Sequence, residues 1–219
     1  MVFSHRPNLL KCLATLFLFG SLAFAETVPL QQDQWLVLPF SKIKPNQVSF
    51  ADGQMKILVR DSAGPVVYKL PEVKSITGFH VKGHYSGGKS AETGPFDEDS
   101  VLRFGVVAEG KQTLSGAKRW FAPAWVKKLF QLAPKGAGID KIHFYGLTNR
   151  LSLKGKIRTH PKSDLMLESL VMHIEKDGDF DFSFQFNEPI RAVGLWLSAD
   201  GDDTHSTFTT TLTSIELNK

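Results

Sequence analysis

Apolar and polar residues alternate along most of this chain with the two-residue period of a strand. Residues 180–186 show it most plainly. Phe180, Phe182, Phe184 and Phe186 fall on one face, and Asp181, Ser183 and Gln185 on the other. One face then lies on a core while the other meets solvent or ligand. Residues 190–198 and the Thr-rich run 206–217 read as two long antiparallel strands joined by a compact acidic loop, Asp200 to Thr204. β-Branched and aromatic residues give these runs their strand propensity, and Asp and Gly give the turn. Further strands are expected at 34–40, ended by Pro39, and on either side of Asp52–Gly53. Asp-Gly between two apolar runs is the strongest short hairpin signal. Runs at 66–70, 74–82, 101–108, 139–145 and 165–174 complete the set.

Three segments break the alternation. Residues 83–99 are polar and glycine-rich, a length at which a loop is functional or mobile. Within 115–133, Trp125, Val126, Leu129, Phe130 and Ala133 recur at helical spacing, with Lys127, Lys128 and Gln131 opposite. Pro123 suits the first turn of such a helix, and Pro134 and Gly136 stop it. Residues 150–164 are basic and loop-like. About ten strands with regular turns, one short helix and no β–α alternation predict an all-β fold. The expected architecture is an antiparallel β-sandwich, jelly-roll-like and akin to carbohydrate-binding modules, in one domain over 26–219.

Composition adds a compartment. Residues 1–25 read as a secretory signal: His5, Arg6 and Lys11, then an apolar run from Cys12, then Ala23 and Ala25 as a small-x-small cleavage site. The run is too short to span a bilayer comfortably, so no transmembrane span is expected in the mature chain. The product would be periplasmic or secreted. Cys12 is the sole cysteine and leaves with the signal, so no disulfide or Cys-based metal site is expected. Loss of Arg6 and Lys11 takes the formal charge from +4 to +2. No basic patch interleaved with aromatic residues stands out, and nucleic acid is not an expected partner.

Three places resemble a known family. Residues 35–40 look like its opening strand. Phe96 to Asp99 followed by Arg103 resembles its acidic pair before an Arg-containing strand. Residues 193–204 resemble its apolar strand closing in an Asp-x-Asp-x-Thr type loop. The chain is in these respects similar to DUF3047, a family of exported bacterial proteins of unknown function. Residues 110–165 depart from the family pattern. The resemblance implies a sandwich and no established activity, so no catalytic residue carries over.

Candidate chemistry falls in four places. Asp200, Asp202 and Asp203 with Thr204 gather oxygen ligands in one tight loop, a partial calcium set. The plainer reading is a turn in which Thr204 satisfies backbone groups. Asp99 or Asp97 is expected to pair with Arg103, a cation in a largely apolar strand that needs a partner if buried. Arg119, Trp120 and Trp125, with Tyr85 from the glycine-rich loop, are candidate ligand contacts through aromatic stacking. Against that, Trp125 also fits the apolar face of the helix, and Trp35 and Trp196 sit in strands as core. Finally, His80 and His84 share a face only if one strand continues through Gly83, and as metal ligands they would need a third. Asp177, Asp179, Asp181 and Glu188 match EF-hand spacing, but Phe182 stands where Gly is required.

The function these features favour is an exported, non-catalytic binding module for a glycan or other envelope component. The alternative is an envelope polysaccharide hydrolase drawing acids from Asp97, Glu98, Asp99 and the 200–203 loop. That alternative requires two carboxyls in one cleft, one with a raised pKa.

Overall fold

The computed structural model describes residues 25–88, 100–160 and 163–219. The expected signal lies outside the described residues except for Ala25, and so do Asp97, Glu98 and Asp99. The strands are β1 (Ala25–Thr27), β2 (Trp35–Val37), β3 (Gln47–Ala51), β4 (Gln54–Arg60), β5 (Ala63–Gly88) and β6 (Ser100–Gly110). After two short helices, α1 (Gly116–Phe121) and α2 (Ala124–Phe130), come β7 (Gly138–Thr148), β8 (Ile157–His160), β9 (Ser163–His173), β10 (Gly178–Asp200) and β11 (Thr207–Asn218).

Two long strands organise the sandwich. Residues 63–69 of β5 pair with 194–200 of β10, and residues 78–85 pair with 178–185. Register shifts at Gln185/Ile190 and Ala192/Gly194 separate the two stretches. Such irregularities let a strand bend, so β5 and β10 pass from one layer into the other. The first layer runs β2–β5–β10–β6–β7–β9–β8, and the second β3–β4–β11–β5–β10 with β1 on the edge of β11. Neighbours are antiparallel except β7 and β9.

The core between the layers is aromatic. Phe79 on β5 meets Phe104 of β6 at 4.4 Å and Tyr145 of β7 at 5.0 Å between ring centroids. In a flat sheet β5 and β6 would stand two strand spacings apart, about 9.5 Å. The short contacts therefore run face to face between layers. Phe180, Phe182 and Phe186 are buried, as their alternation predicts, while Asp181, Ser183 and Gln185 are exposed. The Asp52–Gly53 hairpin also forms, with both residues at positive φ (52° and 72°), as a tight two-residue turn requires.

Three expectations are revised. The acidic connection 201–206 is an arch between layers rather than a hairpin, because β5 lies between β10 and β11. The helical segment is cut at Ala122–Pro123: a residue before proline is pushed out of the α region, and Ala122 is extended (φ −65°, ψ 138°). The glycine-rich segment is strand as far as Gly88, so Tyr85 is not a loop residue. It is 2 % exposed and packs on Phe208, 5.7 Å between centroids, which removes it from any ligand surface. Gly83 marks a close approach instead. A Cβ there would stand 2.2 Å from the Thr211 carbonyl oxygen and 2.4 Å from the Phe180 ring.

The first layer is covered on its outer face as well. Leu129, Leu132 and Ala133, on and after α2, pack on Val67, Val107, Ile142 and Val193 from four strands. Next to this smaller core, the same outer face opens into a cleft.

Candidate functional site

The cleft holds about 320 Å³ and is built on the outer face of the first layer. Its floor comes from alternate positions of neighbouring strands. Trp196, Ser198 and Asp200 project from β10, Arg103 from β6, Phe144 from β7, and Met166 and Glu168 from β9. In register, Ser198 stands opposite Arg103, which stands opposite Gly146.

One wall is aromatic. Phe40, Trp125, Trp196 and Phe144 form a chain of edge-to-face contacts, with centroids at 6.0, 5.8 and 6.4 Å. Edge-to-face packing fixes these rings against one another and leaves apolar surface toward the cleft. Phe40 to Ile43 form a lip, which Asn46 anchors. Its amide donates to the Ala199 carbonyl at 2.7 Å and accepts from Ser62 Oγ at 2.8 Å. Asn46 is buried, so those bonds hold the lip in place.

The other end is ionic. Arg103 Nε stands 2.9 Å from Glu168 Oε1, and Arg103 Nη1 donates to Asp200 Oδ2. Arg158 Nε donates to Glu168 Oε2 at 2.6 Å. Glu168 is 2 % exposed and Arg103 7 %. Burial pushes the Glu168 carboxyl up, but Arg103 and Arg158 together outweigh it and hold the group below its ordinary 4.5. The cleft therefore contains a fixed carboxylate and a fixed guanidinium. Asp202 and Asp203 line its rim. Their loop is closed by hydrogen bonds from Gly201 N to the Ser62 carbonyl (3.1 Å) and from Ser206 N to the Gly201 carbonyl (2.9 Å).

The structure sorts the residues singled out from sequence. Arg103, Trp125, Asp200, Asp202 and Asp203 meet at the cleft. For Arg103 the described residues supply Glu168 and Asp200 as partners, while the expected Asp99 or Asp97 lies outside them. Asp200, read as a calcium ligand, gives an oxygen to Arg103. No group of three or more His, Cys, Asp or Glu among the described residues is placed to hold a metal ion. Trp120 and Arg119 do not line the cleft. Trp35 and Trp196 are buried, as read.

Glu168 is the residue that the sequence reading missed. Its signal was the same as that of Arg103: a lone charge among apolar neighbours, here Met166, Leu167 and Leu170. His80 and His84 do share a face of β5, but each meets an aspartate of β10: Asp181 at 2.5 Å and Asp179 at 2.7 Å. The EF-hand spacing is thus resolved as a cross-strand His–Asp ladder.

No protein-family model matches the chain, and no curated protein matches it in sequence. Among solved structures it is similar to the family 11 carbohydrate-binding module of the cellulosomal cellulase Lic26A-Cel5E of Clostridium thermocellum. The TM-score is 0.42 at 9 % identity, over 91 % of this chain and 97 % of that one. It is also similar to winged bean acidic lectin complexed with methyl-α-D-galactose, at TM-score 0.41 and 13 % identity, over 89 % and 98 % of the two chains. A third is the xylan-binding module CBM15, at TM-score 0.36 and 11 % identity, over 90 % and 96 %. The likeness is one of strand-rich architecture.

Proposed function

We propose that this chain is an exported, non-catalytic module that binds a glycan of the cell envelope in the cleft on its first layer. The observation that carries the reading is the pairing of an aromatic wall with fixed charges at one end of a single cleft. Sugar rings present apolar C–H faces and a rim of hydroxyls. Trp125 and Phe40, both half-buried, suit the faces, with the buried rings of Trp196 and Phe144 holding Trp125 from behind. Asp200, half-buried at the ionic end, would accept from hydroxyls and Arg103 would donate, with buried Glu168 fixing the guanidinium. A mostly apolar pocket with a few convergent polar groups is the usual form of a small-ligand site.

The same geometry weighs against hydrolysis. A glycosidase needs one carboxyl held protonated as an acid. Glu168 is held ionised by Arg103 and Arg158, which suits a hydrogen-bond acceptor.

Calorimetric titration with soluble envelope glycan fragments, oligomers of alternating N-acetylglucosamine and N-acetylmuramic acid first, tests the reading. Trp125→Ala should weaken binding by about 2 kcal/mol, as loss of an aromatic anchor does. Trp120→Ala should leave the affinity unchanged. The opposite pattern would move the site out of the cleft and onto the exposed helix.

A further inference from the structure

Trp120 and Phe121 are 83 % and 89 % exposed, the two highest values among the large apolar side chains described as exposed. They are adjacent, on the last turn of α1, a helix with no buried residue. Core packing therefore does not account for them, and paired exposed aromatics on a soluble domain mark a contact surface.

The segment that carries them has one sign of charge along the chain. From residue 110 to residue 139 the chain has no Asp or Glu, and it carries Lys111, Lys118, Arg119, Lys127, Lys128 and Lys135. Of these, Arg119 and Lys127 are brought together beside the exposed aromatic pair. Lys127 Nζ donates to the Trp120 carbonyl at 3.3 Å, which ties the two helices together. Between them lies a hollow of about 250 Å³, lined by Arg119 and Lys127 with Leu114 and Phe130 as its apolar part.

We propose that α1 and the start of α2 form a docking surface for an anionic phospholipid bilayer. Trp120 and Phe121 would enter the interfacial zone, where Trp in particular places an apolar body beside polar headgroups. Lys118, Arg119 and Lys127 would meet lipid phosphates, and the hollow between the helices has the size and charge for a headgroup. Two features favour a bilayer over a glycan or a protein groove. The segment has no carboxylate to accept from sugar hydroxyls. Its aromatics project from a single turn, a shape that a fluid surface accommodates without a complementary pocket. This surface is separate from the cleft, since Trp120, Phe121 and Arg119 do not line it.

Vesicle flotation of the full chain tests the proposal, with phosphatidylcholine vesicles set against vesicles containing about one-third phosphatidylglycerol. Binding to the anionic vesicles should exceed binding to neutral ones by about tenfold or more and weaken as salt rises from about 0.01 to about 0.5 M. It should fall about tenfold in Trp120→Ala/Phe121→Ala and again in Lys118→Gln/Arg119→Gln. Residues 1–24 are the same in every variant and can bind lipid themselves, so flotation is read at sub-saturating lipid and the losses in the variants, not the absolute level, carry the test. These side chains are exposed, so the melting temperature should not change. In a second readout, bromine-labelled lipid should quench tryptophan emission in the wild type and lose that effect in Trp120→Phe. Equal flotation of wild type and both variants would overturn the proposal. So would capture of the wild type by heparin with no preference for anionic over neutral vesicles.

Discussion

Glu168 is nearly inaccessible and touches two arginines, of which Arg103 is buried and Arg158 has a side chain 34 % exposed. Removing one partner of a buried pair leaves an uncompensated charge and costs about 3–5 kcal/mol. Glu168→Gln keeps the shape and removes the charge. Arg158 can turn to water, but Arg103 cannot, although it keeps Asp200. We therefore expect a loss near the lower limit, about 3 kcal/mol, in urea unfolding at neutral pH. The pH dependence has a definite sign. The folded carboxyl lies below its ordinary 4.5, so the unfolded chain takes up the proton first as pH falls. The stabilisation is fully present above pH 4.5 and is lost as pH drops through the folded value. The gap between wild type and Glu168→Gln should close at acid pH, and a gap that persisted unchanged would mean that the carboxylate is not held by its arginines. The two halves of this pair were unequally legible. Arg103 announced a need for a partner. Which partner it takes depends on β9 lying parallel beside β7, and no local pattern encodes that pairing.

Glycines led the sequence reading astray at the level of elements. Gly83, Gly87 and Gly88 looked like loop residues, yet all three belong to β5. Composition cannot separate a glycine that bends the chain from one that admits a neighbour, because both simply lack a side chain. The structure separates them. At Gly83 a Cβ would collide with the Thr211 backbone and the Phe180 ring, whereas at Gly88 it would meet nothing within 4 Å. Gly83→Ala should therefore cost about 3 kcal/mol or more, since a rigid backbone and a core ring must both move. Gly88→Ala should stay within about 0.5 kcal/mol. Thermal unfolding of the two variants checks the contrast, and equal melting points would show that β5 is not clamped at Gly83. Tyr85, two residues on, was misread for the same reason. By contrast, Asp52–Gly53 and the Phe180–Phe186 alternation were readable, because each rests on a local rule that the tertiary structure did not override.

The whole molecule is a sandwich whose layers share strands. Local signals gave the strands and most of the turns but not the layering, because that depends on where β5 and β10 bend and on Tyr145 and Phe104 arriving over Phe79. Sharing has a thermodynamic consequence. Neither layer can unfold alone without stripping hydrogen bonds and apolar contacts from β5 or β10 in the other. Three tryptophans offer a probe of one layer: Trp35 is on β2, Trp196 on β10 and Trp125 on α2, packed on it, while Trp120 is exposed on α1 and reports little on unfolding. Far-ultraviolet circular dichroism samples the strands of both. We expect the two signals to trace a single transition with one midpoint, and the van't Hoff enthalpy to equal the calorimetric one. Phe79→Ala removes the ring at the centre of the interlayer contacts and should cost about 3–5 kcal/mol. If the layers are coupled as the shared strands require, both signals will shift down together in that variant. A tryptophan transition that stayed in place while the dichroism moved would mean that the first layer holds its fold unaided, and that the strand sharing is not what makes the domain one unit.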